Sequence, residues 1–205
     1  MPAASLQNPV VIPANLTEGP VRKRFTRTDV ERMLDAGIFE GQRFELIDGE
    51  LIYKMEQKPP HSYSIQLVLD WLASFLGTRV IRVQLSIEAS GDDRETSEPE
   101  PDIAVLAEMK SEYQRRHPRG NELLLVVEVS DTTRAFDLGR KAMLYASAGV
   151  AEYWVLDLNR RMLVVHRQPD GEQYRLIQMF AEEEMVSMQG RTETVKAGDL
   201  LPALD

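Results

Sequence analysis

Apolar and polar positions recur along this chain with two periods, near 3.6 and near 2, and the period assigns each segment. In the stretch 26–38, Val30, Leu34 and Ile38 stand at helical spacing. Thr26 with Asp29 three residues on is a capping-box signature and Gly37 sits near the stop, so a short helix is predicted. RFELIDGELIYKM (43–55) reads as two strands joined at Asp48-Gly49, a pair suited to a two-residue hairpin. HSYSIQLVLDWLASFLG (61–77) carries Ile65, Val68, Leu72 and Phe75 on one face and ends on Gly77, a second helix of about four turns that should pack on a sheet.

The second half of the chain is richer in strands. RVIRVQLSIEA (79–89) alternates and gives one or two strands, 92–100 is an acidic loop, and PDIAVL (101–106) is a short strand placed just after a proline. A charged loop (107–121) leads to LLLVVEV (123–129), which has no polar position until Glu128, as expected of a central strand covered on both faces. DLGRKAMLYASAG (137–149) predicts a helix, and EYWVLDL, RMLVVHRQ and EQYRLIQM predict a three-strand meander. Strand, helix and strand across 123–157 imply a parallel crossover inside a mixed sheet. Residues 1–20, proline-rich and without period, read as a flexible lead-in to a single domain spanning 21–205.

Composition narrows the chemistry. At 205 residues and 43% hydrophobic, the chain can bury one substantial core, and no apolar run approaches the roughly 20 residues of a membrane span. The N-terminus has neither the basic start nor the apolar run of a signal peptide, so a cytoplasmic location without membrane contact is expected. The absence of cysteine removes thiolate catalysis, disulfides and sulfur-bound zinc, leaving ligands suited to a hard cation such as magnesium. A net charge of −9 disfavours non-specific binding of nucleic acid. Two local basic clusters, 21–27 and 110–120, could be phosphate contacts, although each taken alone reads first as a solvated charged surface.

Two acids stand out against their neighbours. Asp102 shares a strand face with Ala104 and Leu106, and Glu128 with Leu124 and Val126. Two carboxylates brought together in an apolar setting need a proton or a cation between them, and a divalent ion meets that need. The bland alternative is that each acid ends its strand in water or pairs with an arginine. On the following helix Leu138, Ala142, Tyr145 and Ala148 form the apolar stripe, with Lys141 inside it and Arg140 pointing away. An inward lysine calls for an anionic partner, unless it snorkels to solvent. Tyr145, Tyr153 and Trp154 read as core.

FELIDGEL, PDIAVL, LLVVEVSDTTRAFDLGRKAMLYASAGVAEYWVLDL and RMLVVHR together resemble the Uma-two family of endonucleases, a branch of the PD-(D/E)XK superfamily that includes restriction endonucleases. The resemblance runs from about Thr26 to Pro202, and its specific part is the block 123–157. It implies an α/β, restriction endonuclease-like fold: a mixed central β-sheet flanked by helices, with an N-terminal helix and β-hairpin. By that resemblance Asp102 and Glu128 hold Mg2+, with Mn2+ as a substitute and the Val129 carbonyl assisting. The superfamily's lysine position two residues after the second acid is Ser130 here, and the lysine role falls to Lys141. Glu45 resembles the family's upstream acid, expected to hold the ion through water, with Glu50 across the hairpin as its alternative, and His61 resembles the histidine that opens the long helix and joins the metal site. The implied activity is Mg2+-dependent hydrolysis of DNA phosphodiesters by a homodimer or higher homo-oligomer. Readings of other classes are a non-catalytic binding or assembly module on the same fold, or a metal phosphodiesterase acting on RNA or a small substrate.

Overall fold

The computed structural model describes residues 22–89 and 91–203; the lead-in expected at 1–20 lies outside them. Helix α1 (Arg27–Asp35) begins as its sequence predicts, with Thr26 Oγ1 accepting from the Asp29 N–H and the Asp29 carboxylate accepting from the Thr26 N–H. Strands β1 (Phe44–Ile47) and β2 (Glu50–Tyr53) form the expected hairpin. Asp48 and Gly49 both take positive φ, 48° and 75°, the left-handed pair that a tight turn between twisted strands requires. Helix α2 (Pro59–Leu76) starts with prolines, whose missing N–H groups would be unpaired there anyway.

Six strands make the central sheet in the order β3-β4-β5-β6-β7-β8: Ile81–Val83, Ile103–Leu106, Leu123–Ser130, Glu152–Asp157, Met162–Asp170 and Gln173–Ala181. All neighbours run antiparallel except β5 and β6, which are parallel. The chain between these two supplies the crossover that parallel strands need. The fold is therefore the mixed sheet flanked by helices that the sequence implies.

Alternation along the strands divides the core in two. Val105, Leu125, Val127 and Trp154 face α2, meeting Ile65, Val68 and Leu72, and the Trp71 and Trp154 rings stack at 5.6 Å. Ala104, Val126, Tyr153, Val155 and Val164 face the other way and meet Tyr145. Glu128 lies two residues beyond Val126 and so belongs to the second face.

Three segments differ from the sequence pattern. The helix expected over 137–149 is built from α3 (Arg134–Phe136), a π-helical turn (Asp137–Lys141) and α4 (Ala142–Ser147). Only Ile81–Val83 of the stretch 79–89 joins the sheet, since Gln84 turns to φ 52° and ends the strand. The C-terminal hairpin β9 (Met185–Ser187) and β10 (Thr194–Lys196) had no clear signal, each strand being only three residues long.

Candidate active site

Strand register brings the two acids together. In the β4–β5 ladder Ile103 lies opposite Val127 and Ala104 opposite Val126, so one further step sets Asp102, just before β4, across from Glu128. The Val129 N–H donates to Oδ2 of Asp102 at 2.8 Å and Gln84 Nε2 to its Oδ1 at 3.3 Å. These bonds fix the carboxylate where the strands end.

Lys141 is delivered by the π turn. The Ala142 N–H reaches back five residues to the Asp137 carbonyl, which also accepts the Tyr153 hydroxyl at 3.0 Å. Such single π turns inside helices recur at functional sites. Lys141 Nζ lies 2.9 Å from Glu128 Oε1 and 3.0 Å from Glu45 Oε1, and all three side chains are buried. One ammonium thus joins the central sheet to the separate β1–β2 hairpin, whose strand β1 carries Glu45. The Glu100 N–H also donates to Glu45 Oε2 at 3.3 Å. Tyr145, one turn beyond Lys141, donates its hydroxyl to Glu128 Oε1 at 2.6 Å.

His61, in the first turn of α2, sets Nε2 3.3 Å from Asp102 Oδ2. Burial opposes charge on this ring, but the hydrogen bond to Asp102 and the charges of Asp102 and Glu128 outweigh it and raise its pKa. Asp102 responds in the opposite direction: burial works against its ionised form, yet His61, the Val129 N–H and Lys141 hold its pKa below the usual value. Glu128 is pushed up to about 8, first by burial; Lys141 counteracts this, while Asp102, Asp137 and Glu45 add to it. Lys141 itself stays charged, because Glu128, Glu45 and Asp137 override its burial. Asp137 is a further acid in the group: buried, accepting the Thr133 hydroxyl at 2.5 Å, with its pKa raised by that burial.

These groups line one cavity of about 170 Å³, together with Val129, Thr133 and the 52–58 segment. Its floor carries more carboxylates than one ammonium neutralises, and that surplus adds to the burial that raises Glu128. Hard oxygen donors with excess negative charge fit a divalent cation such as Mg2+. Among the described residues no three His, Asp or Glu side chains form a ready-made cluster of metal ligands. The fit therefore rests on the paired acids Asp102 and Glu128 and on the Val129 backbone beside them.

The structure thus gathers Asp102, Glu128, Lys141, Glu45, Val129 and His61 around one space. Glu50, the alternative to Glu45, points elsewhere: its carboxylate takes Arg140 Nη1 at 2.7 Å and is half-exposed. Sequence reasoning passed over Asp137, and it read Tyr145 as core, which its burial bears out, without the hydroxyl's bond to Glu128. Both lie four residues from Lys141, on its own helical face, so the inward lysine was itself the signal for them. The basic clusters are largely engaged within the protein. Arg116 pairs with Glu112 and Glu122, Lys110 with Glu122, and Arg119 with Glu88. In the first cluster, Lys23 pairs with Asp29 and Arg27 with Glu98. They give less support to phosphate contact than their composition does.

Comparison with known proteins bears on the family and the fold. The model of the Uma2 family, described as "Putative restriction endonuclease", matches residues 28–195. Among solved structures the chain resembles that of "a putative nuclease belonging to DUF820" from Anabaena variabilis ATCC 29413, with a TM-score of 0.60 and 16% sequence identity over 77% of this chain and 88% of that one. At that identity the likeness bears on the fold alone. No curated protein matches the chain.

Proposed function

This chain belongs to the Uma2 family of restriction endonuclease-like proteins, and from that premise we propose that it is a Mg2+-dependent nuclease that hydrolyses DNA phosphodiesters. The observation that carries the reading is the convergence of Asp102, Glu128, Glu45 and Lys141 in one buried cavity. Asp102 and Glu128 would hold the ion, with the Val129 carbonyl beside them, and Mn2+ would serve in its place. When bound, such an ion supplies Lewis-acid polarisation of the phosphate and lowers the pKa of a water.

The side chains do the rest. The Lys141 ammonium offsets negative charge as it builds on the phosphoryl oxygens, in a site where burial strengthens that interaction. Glu45 orients Lys141, and His61 holds the Asp102 carboxylate in its ionised form. The test is cleavage of supercoiled plasmid and of single-stranded circular DNA, with Mg2+ or Mn2+. Asp102→Asn and Lys141→Met are expected to abolish cleavage; undiminished cleavage by either variant would assign the activity to another site.

A further inference from the structure

A second, more open cavity of about 440 Å³ adjoins the carboxylate cavity, and the two share Tyr53, Lys54, Met55, Glu56 and Gln57. We infer that this shared wall binds an unpaired nucleic-acid strand, one base stacking on Tyr53 while the adjoining phosphodiester enters the carboxylate cavity. The inference rests on the nuclease reading and narrows its substrate.

Burial of the acids is the first argument. Glu45, Asp102, Glu128 and Lys141 are each no more than 6% exposed, at the floor of a space of about 170 Å³ walled by the hairpin and by the segment that follows it. Duplex DNA is a stiff rod, with a persistence length of about 50 nm, and its phosphates stay flanked by stacked pairs. A single strand bends residue by residue and can direct one phosphodiester inward.

The second argument is the ring at the mouth. Tyr53 is 56% exposed, with Met55 beside it at 63%, yet its ring is not loose. It meets Phe44, its partner across the hairpin, edge-on at 5.4 Å, and Phe44 in turn meets Phe39 at 4.8 Å. An exposed aromatic held from behind is a platform that any base can stack on without sequence preference.

Charge is the third. Arg43, which lines the second cavity, is paired with Glu100, and Lys58, which lines the first, with Asp131. Both cations are more than half exposed. Their carboxylate partners, Glu100 and Asp131, are largely covered, so a backbone phosphate can approach the solvent side of each cation without displacing the carboxylate behind it.

The experiment is equilibrium binding of a fluorescent oligothymidylate, an oligouridylate and a DNA duplex of equal length, first in EDTA and then with Mg2+. Single strands are expected to bind more tightly than the duplex. Tyr53→Ala should weaken strand binding about tenfold, while Tyr53→Phe, which keeps the ring, should restore it to within about twofold. Equal affinity for strand and duplex, or strand binding unchanged in Tyr53→Ala, overturns the inference; preference between the thymidine and uridine strands tells whether DNA or RNA is taken. Binding and cleavage are read separately. Strand binding that depends on Tyr53 but is never followed by cleavage would retire the nuclease reading alone, whereas duplex cleavage indifferent to Tyr53 would retire this inference alone.

Discussion

The hydroxyl of Tyr145 donates to Glu128 Oε1 at 2.6 Å, the same oxygen that accepts the Lys141 ammonium at 2.9 Å. Two donors on one oxygen fix the rotation of the carboxylate and leave Oε2 as the oxygen free to meet a cation. Tyr145→Phe keeps the ring against Tyr153, 4.9 Å away, and removes only the donor. A stability loss of about 1 kcal/mol is expected in urea unfolding, since Lys141 still serves the oxygen. Mn2+ affinity measured by calorimetry should fall roughly tenfold, as it does when residues that orient metal ligands are removed. Unchanged affinity would mean that the hydroxyl serves packing alone.

Arg140 has a comparable influence on Glu45. Its guanidinium reaches Asp48 Oδ2 at 2.5 Å, Glu50 Oε2 at 2.7 Å and the Ile47 carbonyl at 2.9 Å, fastening the hairpin to the helix that carries Lys141. Arg140→Ala should cost about 1–2 kcal/mol, a figure kept modest because the group is partly exposed. Local release should be sharper than the global loss. Amide hydrogen exchange at Leu46 and Ile47 is expected to quicken while β5 remains protected; uniform protection across both would place the fastening elsewhere. Arg140→Lys should rescue little, because one ammonium cannot reproduce the planar fork.

Stability should fall with rising pH through the neutral range. Glu128, pushed up to about 8 in the folded protein, binds a proton that the unfolded chain has already released above its ordinary pKa near 4.5. Between those values the folded state holds more protons, so stability declines, with a slope of at most ~1.4 kcal/mol per pH unit, and levels off beyond. His61, also raised, adds to the decline as pH passes through its own folded value. Asp102, lowered, acts only on the acid side, where its contribution disappears as pH drops. Glu128→Gln keeps an acceptor for Lys141 and Tyr145 but cannot titrate. Urea midpoints from pH 5 to 8.5 should therefore decline less in the variant, and parallel declines in the two proteins would contradict this account.

Much of this site was legible before any coordinates, because strand and helix periods are arithmetic. Asp102 precedes the apolar positions Ala104 and Leu106 by even steps, Glu128 follows Leu124 and Val126 by even steps, and Lys141 falls inside an apolar stripe. Glu45 was harder to place: an acid in a hairpin strand is ordinarily a solvent-facing residue, and only the tertiary meeting with Lys141 buries it. The choice between Glu45 and Glu50 depends on which side of the hairpin docks, which Arg140 settles from another element. The π turn left no periodic trace, since one widened turn shifts the pattern by less than the stripe's own width. The ion pairs of the 110–120 cluster were illegible for a related reason: a sequence shows cations, whereas a carboxylate partner such as Glu88 arrives from a distant segment.

Metal and proton should compete at Glu128. A cation held between Asp102 and Glu128 needs both carboxylates ionised, and at pH 6 Glu128 is largely protonated whereas above about 8 it is not. Mg2+ should accordingly raise the melting temperature more at pH 8.5 than at pH 6. A ligand that binds only the folded state stabilises by RT ln(1 + [L]/Kd), which at a concentration tenfold above Kd is about 1.4 kcal/mol. In Glu128→Gln the shift should be small and the same at both pH values, because the competing proton is gone along with one ligand. A Mg2+ shift that is larger at pH 6, or that survives intact in Glu128→Gln, would place the cation away from this pair of acids.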